Sequence, residues 1–238
     1  MLSRSILLTV MALAPAGLYN QGNQHYARRD YAGAARAYEQ VLRAGPNADA
    51  CYNLGNALFK SGRIGPAIVQ YRRAWYLRPR DADIGRNLAF ARSYRVDKAP
   101  ITAGPLARGL DRAFHLLSRR EAALLAAALF ALAALSLSIW ILRRWTWFLS
   151  GAVVLAGLTL FCLVTRWVWA GEVGARPAVV IVREVSVSSG PGEEFKQILL
   201  VHDGTEVRIR EQRGGYLLVQ LPGGSGGWLK SDAVARVY

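Results

Sequence analysis

Side chains able to hold another molecule recur along the first third of this chain. They are Tyr19, Asn23 and Tyr26, then Asn53, Asn56, Phe59 and Lys60, then Arg86 and Asn87. An asparagine amide offers a donor and an acceptor at once, which suits the N–H and C=O groups of an extended peptide backbone. Aromatic rings and cations between the amides add apolar and charged contacts. This is recognition chemistry. Residues able to make or break bonds are scattered: His25, His115 and His202 stand alone, and Cys51 and Cys162 have no histidine near them in sequence. Both cysteines read as small core residues. The glycine-rich run Pro222-Gly223-Gly224-Ser225-Gly226-Gly227 is followed by neither a helix nor Lys-Ser/Thr, so it reads as a hairpin turn and not as a phosphate loop. The expectation is a protein that is not an enzyme and carries no cofactor or metal.

A repeat places the recognition residues on one surface. Gly22, Ala34, Tyr38 and Pro46 return as Gly55, Ala67, Tyr71 and Pro79, a step of 33 residues. Self-similarity at this period marks a helical solenoid with two helices per unit. In the second unit, residues 50–59 carry apolar residues at helical spacing and stop at Ser61-Gly62. Gly65-Pro66 then opens a helix that runs to about Leu77, ahead of Pro79. Gly55 and Ala67 are small where two helices cross closely, and Tyr71 fills the gap between them. A third first-helix follows at residues 83–91, after which the pattern fades. Two and a half units over residues 17–98 form a short array that needs a cap or a partner.

The stretches LYNQGNQHYARRDYAGAARAYEQVLRAGP and CYNLGNALFKSGRIGPAIVQYRRAWYLRP resemble the tetratricopeptide repeat (TPR) family. The resemblance implies an all-α TPR solenoid that binds peptides on a concave face carrying the residues named at the outset. Two asparagines of the carboxylate clamp found in some members are matched by Asn23 and Asn53. Tyr19 and Asp83 replace the clamp's lysines, so general peptide binding is implied and not capture of a terminal carboxylate. Asn53 and Asn87 share a repeat position, and a helix-packing role for them stands beside the binding role. The step of 33, where the family usually has 34, reflects one residue lost after Pro46.

The chain has 238 residues and a net charge of +14, carried unevenly. Residues 17–98 hold 14 Lys/Arg against 6 Asp/Glu, whereas residues 171–238 hold 8 of each. A basic array suits an acidic partner or anionic lipid, and solvated helix faces in an arginine-rich chain would look the same. Nothing resembles a groove-reading motif, so nucleic acid is not an expected partner.

Residues 122–142 carry no charge, and at about 1.5 Å per residue such a run reaches about 30 Å, enough to cross a bilayer. A second apolar run begins at Trp147, giving expected transmembrane helices over residues 121–142 and 146–169. Ser118 and Glu121 have capping-box spacing ahead of the first. Only Arg143-Arg144-Trp145-Thr146 separates the runs, which predicts a tight hairpin packed through Ala123, Ala127 and Ala131 against Ala152 and Ala156. Residues 99–120 form a linker with a short amphipathic helix. At the N-terminus, Arg4, the apolar run Ile6–Leu13 and Ala14-Pro15-Ala16 predict a signal peptide over residues 1–16. The first helix of the array should then start at about Gly17. Export would put both soluble parts in the periplasm and Arg143-Arg144 in the cytoplasm. Arg108, Arg112, Arg119 and Arg120 then flank the first span on its outer side, against the usual charge bias. Without a signal both soluble parts would be cytoplasmic.

From Ala178 the texture changes to short strands, expected at 179–183, 198–201, 205–210, 216–221 and 227–230, separated by glycine turns. Residues 185–192 (VSVSSGPG), Gly204-Thr205-Glu206-Val207, Gly215-Tyr216 and Gly227-Trp228-Leu229 resemble the bacterial SH3 (SH3b) family over residues 177–238. The resemblance implies a small all-β SH3-like barrel, with Tyr216 and Trp228 on a possible binding face or packed in the core. Ser188 stands where members usually carry arginine. The order of signal, repeats, hairpin and barrel resembles BatE-like proteins of bacterial aerotolerance operons. That resemblance implies a two-pass inner-membrane scaffold whose partners are von Willebrand A-domain membrane proteins and a MoxR-type ATPase system. Peptidoglycan binding through the SH3b domain is the alternative function.

Overall fold

The computed structural model describes residues 3–98 and 104–238, with side-chain surroundings from residue 15 onward. Residues 1–101 and 175–238 form one compact unit, and residues 102–174 form another.

The first unit begins with five helices: α1 (Ser3–Ala27), α2 (Tyr31–Arg43), α3 (Ala48–Lys60), α4 (Ile64–Leu77) and α5 (Ala82–Ser93). The starts of α2, α3 and α5 are set by short polar side chains that satisfy the first backbone N–H groups. Asp30 accepts from Gly33 N, Asn47 from Ala50 N, and Asp81 from Asp83 N and Ile84 N. Asn47 follows Pro46 directly, whereas Arg80 intervenes between Pro79 and Asp81, which places the missing residue after Pro46. The expected signal sequence and cleavage motif lie within α1, which runs through Gly17 without a break and contains Pro15. Residues 1 and 2, and the side chains up to residue 14, fall outside the described residues, as do residues 99–103 of the linker.

The repeated residues mark close approaches. A Cβ added at Gly22 would lie 2.5 Å from the Tyr38 ring, and one at Gly55 would lie 2.7 Å from the Tyr71 ring. Both tyrosines are buried, at 1% and 2% exposure, with Ala34 and Ala67 fully enclosed. The turn inside each unit also repeats. Gly62 closes α3 at φ +77°, and Arg29 takes the same left-handed conformation after α1 at φ +61°.

The rest of this unit is an antiparallel sheet of seven strands: β1 (Pro177–Val180), β2 (Glu184–Ser188), β3 (Gln197–His202), β4 (Glu206–Arg213), β5 (Tyr216–Gln220), β6 (Gly226–Lys230) and β7 (Val234–Arg236). Their order is β3-β2-β6-β5-β4-β1-β7. The expected strand from residue 179 to 183 stops at Val180, and β2 and β7 were not among the five expected strands. The sheet bends at bulges beside Val187/Ser188 and Ile209/Glu211, but it does not close, because β3 and β7 do not pair with each other. The β7 end turns instead to a helix: Arg73 on α4 donates to the carbonyls of Arg236 and Val237, at 2.9 Å each. A helix laid along a sheet end satisfies groups that a barrel would have paired.

One hydrophobic cluster joins the array to the sheet. Leu54, Ile68, Val69, Tyr71, Leu88 and Ala91 pack in it with Val179 and Val237, and Ile181, Ala235 and Tyr238 lie along its margin. The outward side of α2 is covered by the next helical pair. The equivalent side of α4 has only α5 and then meets β1 and β7. The sheet thus covers the end of a two-and-a-half-unit array.

The second unit holds α6 (Pro105–Phe114), α7 (Arg119–Arg143) and α8 (Thr146–Gly174). Ser118 and Glu121 close the expected capping box, at 2.9 and 3.3 Å. Arg144, at φ +56°, turns the chain between α7 and α8. Both helices are long and apolar enough to cross a membrane, with mean hydropathy 2.4 and 2.2 and only 17% and 22% of their apolar windows buried. On α7 the expected alanine seam is off by one residue, whereas Ala152 on α8 is buried as expected. Ala122 and Ala126 are the buried residues of α7, and Ala152, Thr159, Cys162, Thr165 and Trp169 those of α8, while Ala127, Ala131 and Ala156 are exposed and Ala123 is half-buried. A helix apolar all round carries no periodicity that marks its contact face. Here the register is fixed by Trp169, whose indole donates to Leu117 O at 2.9 Å and packs edge-on against His115.

Candidate functional site

The first helix of each unit contributes α1, α3 and α5 to one surface, joined by a ladder of tyrosines and asparagines. Within a unit, the Tyr38 hydroxyl donates to Asn23 Oδ1 at 2.7 Å and the Tyr71 hydroxyl donates to Asn56 Oδ1 at 2.8 Å. Between units, Asn53 Nδ2 donates to the Tyr19 hydroxyl at 2.8 Å and Asn87 Nδ2 donates to the Tyr52 hydroxyl at 2.9 Å. A further bond from Asn87 Nδ2 reaches Asn56 Oδ1 at 2.9 Å. Burial raises Tyr38 to about 12 and raises Tyr71 as well, so both hydroxyls stay protonated and keep donating. The ladder explains why tyrosine recurs at the step of the repeat: its ring fills the space over the glycine and its hydroxyl ties the helices together.

The structure therefore brings together Tyr19, Asn23, Asn53, Asn56 and Asn87, and gives each an internal hydrogen bond. A second group is aromatic. Phe59, Phe90 and Tyr94 form a triangle with ring centroids 5.1–5.5 Å apart. Phe90 and Tyr94 are 53% and 58% exposed. Rings of this size clustered in the open offer apolar anchor area at low entropic cost. Sequence reasoning singled out Phe59 alone. Phe90 and Tyr94 lie at the fading end of the pattern, and the signal that could have found them is their i, i+4 spacing beyond Asn87. Tyr26 packs on Tyr31 at 5.3 Å. Lys60 is exposed, and Arg86 is exposed and paired with Asp83. Tyr216 and Trp228 lie on β5 and β6. Trp228 is 8% exposed, with the Arg213 guanidinium 5.6 Å over its ring, and Tyr216 is half-buried.

Sequence reasoning also missed a charged junction between the helices and the sheet. Glu206, at the start of β4, accepts from Arg92 at 2.7 and 2.8 Å, from Arg95 at 2.9 Å and from Arg72 at 3.1 Å. Burial alone would raise this carboxyl. The hydrogen bonds and positive charge of Arg92, with Arg72 and Arg95, outweigh that and hold it below the usual glutamate range. Asp97, just past α5, accepts from the Thr205 hydroxyl at 2.6 Å and from His202 N at 2.8 Å, and pairs with the His202 ring at 3.0 Å. Asp203 accepts from Gly65 N at 3.0 Å. These groups tie the helical array to the sheet.

Cys51 is buried, and burial pushes its thiol up to about 11, which keeps it protonated and unreactive. Among the described residues, no group of three or more His, Cys, Asp or Glu could hold a metal ion. The tetratricopeptide repeat family matches residues 19–84, from Tyr19 on α1 into α5, the segment that carries the ladder. Comparison with curated proteins finds no match.

Proposed function

We propose that this chain is a membrane-anchored, non-catalytic scaffold that holds segments of partner proteins on its helical array. The carrying observation is the Phe59–Phe90–Tyr94 cluster beside the amide ladder, with Phe90 and Tyr94 exposed, within and just beyond the matched repeats. The array's net positive charge favours acidic segments with an apolar or aromatic anchor. Membrane anchoring rests on the two apolar helices. It agrees with the packing of array and sheet into one unit: two spans return the chain to the side it left, as that packing requires.

Finer readings rest on resemblance. The SH3b-like motifs and the signal-like N-terminus favour a periplasmic location in the inner membrane. The order of segments favours von Willebrand A-domain membrane proteins and a MoxR-type system as partners. Use of the sheet as the end cap of the array supports one joint scaffold over a separate peptidoglycan-binding module.

Crosslinking and pull-down from membranes, followed by identification of the captured proteins, tests the groove. Replacing Phe90 and Tyr94 with alanine should abolish capture, because neither ring takes part in the ladder; undiminished capture removes the groove from the account. Asn23 and Asn53 are poorer targets, since their loss would unfasten the helices. Alkaline phosphatase joined by a flexible linker after Tyr238 tests orientation: activity supports export, and inactivity of a stable fusion refutes it.

A further inference from the structure

A groove of about 380 Å³ opens along the hairpin at the end where α7 begins and α8 nears its close, lined by Ala123, Ala126, Ala127, Phe130, Leu163 and Arg166, with Thr159 at its floor. That volume falls in the range of about 300–1,000 Å³ typical of small-molecule sites. Its existence follows from the shifted seam. Ala122 and Ala126 make the buried contact, so Ala123 and Ala127 lie beside it, and their short side chains leave an apolar trough. The Thr159 hydroxyl is turned away from ligand duty by its bond to Leu155 O at 2.8 Å. Arg166 is the one charge in the wall. It is half-buried and has no ion-pair or hydrogen-bond partner among the described residues. Arg119 and Arg120 are exposed one turn before Ala123, at the same end of the antiparallel pair.

An unpaired guanidinium at the rim of an apolar trough is costly unless an anion answers it. We propose that this groove binds one anionic phospholipid, its acyl chain along Ala123, Ala127, Phe130 and Leu163 and its phosphate on Arg166, with Arg119 and Arg120 adding attraction. Arginine suits the role because its planar fork makes paired hydrogen bonds to phosphate oxygens. Bound anionic lipid also accounts for cations clustered at this end of the first span, whichever side of the membrane it faces. The inference rests on the membrane reading of the hairpin.

Native mass spectrometry of the full chain in mild detergent tests it, with phosphatidylglycerol, phosphatidylcholine and inorganic phosphate as separate probes. Wild-type protein should retain phosphatidylglycerol in preference to phosphatidylcholine, and inorganic phosphate should not displace it. Arg166→Gln should weaken retention by about tenfold or more, the usual scale for a charge-assisted hydrogen bond. Ala127→Leu, which fills the trough and keeps the arginine, should weaken it similarly, and this variant serves if the first does not fold. Equal retention of the two lipids overturns the proposal, as does unchanged retention in Ala127→Leu or competition by phosphate alone. Alkaline carbonate extraction of cell membranes checks the underlying reading separately. A chain released by carbonate is not membrane-spanning, whereas a chain that stays with the membrane but shows no lipid preference refutes the lipid site alone.

Discussion

Replacing Glu206 with glutamine tests whether helices and sheet are one cooperative body. The substitution keeps size and one oxygen acceptor but removes the carboxylate that Arg72, Arg92 and Arg95 share. The Glu206 side chain is 15% exposed, and those of Arg72 and Arg95 are 14% and 13% exposed. Removing one partner of a buried ion pair costs about 3–5 kcal/mol, because the remaining charge stays buried and uncompensated. Arg92 is 38% exposed and can turn to water, which favours the lower end of that range. The expected loss is about 3 kcal/mol, or a fall in Tm of roughly 6–12 °C for a unit of this size. Thermal unfolding of the full chain in mild detergent, followed by circular dichroism, reads it. Glu193→Gln, which breaks an exposed pair with Lys230, provides the matched control and should leave Tm unchanged. Helical and strand signals should fall together in Glu206→Gln. A loss below about 1 kcal/mol, or a sheet that melts apart from the helices, would refute the reasoning.

Acid should act on the same junction. Glu206 and Asp97 both have folded-state pKa values lowered by their partners. Their contribution is therefore present above the ordinary values of 4.5 and 3.8 and is lost as the pH falls below them. Asp203, raised by burial, works in the opposite sense and offsets part of the loss; Tm measured down a pH series should be level near neutrality and fall on acidification, and a Tm that rises below 4.5 contradicts the assignment. Gly55→Ala would force a Cβ to within 2.7 Å of the Tyr71 ring and should cost about 1–3 kcal/mol in chemical denaturation. Arg29→Gly should do the reverse, gaining about 1 kcal/mol by relieving a left-handed residue with a side chain; a loss of stability there would mean the arginine side chain holds something the turn needs.

The helical array was legible because its demands are local. Gly22 and Gly55 must be small beneath Tyr38 and Tyr71, and that necessity repeats at a fixed step. The apolar helices were legible from hydropathy alone, but their contact face was not, since alanine and leucine surround α7 on every side. The aromatic cluster was read only in part, because Phe90 and Tyr94 lie where the repeat pattern ends. The junction at Glu206 was hidden for a different reason. Its partners are 111 to 134 residues away, and in an arginine-rich chain Arg72, Arg92 and Arg95 look like solvated surface. Strand β7 escaped notice because three residues carry too short a pattern to read; β2 does alternate, as Val185-Ser186-Val187-Ser188, but its small serines and the Ser189-Gly190-Pro191-Gly192 turn directly after it made it read as part of a loop.

The distance between those partners has a consequence for biosynthesis. α4 and α5 leave the ribosome long before Val179, Glu206 and Val237, and both apolar helices must be made in between. On the membrane-anchored reading proposed above, the array waits, unfinished, until the last few dozen residues arrive on its own side of the bilayer. A chain whose hairpin inserted with a single crossing would strand the sheet on the far side, leaving three arginines without their carboxylate and Leu88 and Ile68 without cover. On that reading, completion of the fold would itself report that insertion went correctly.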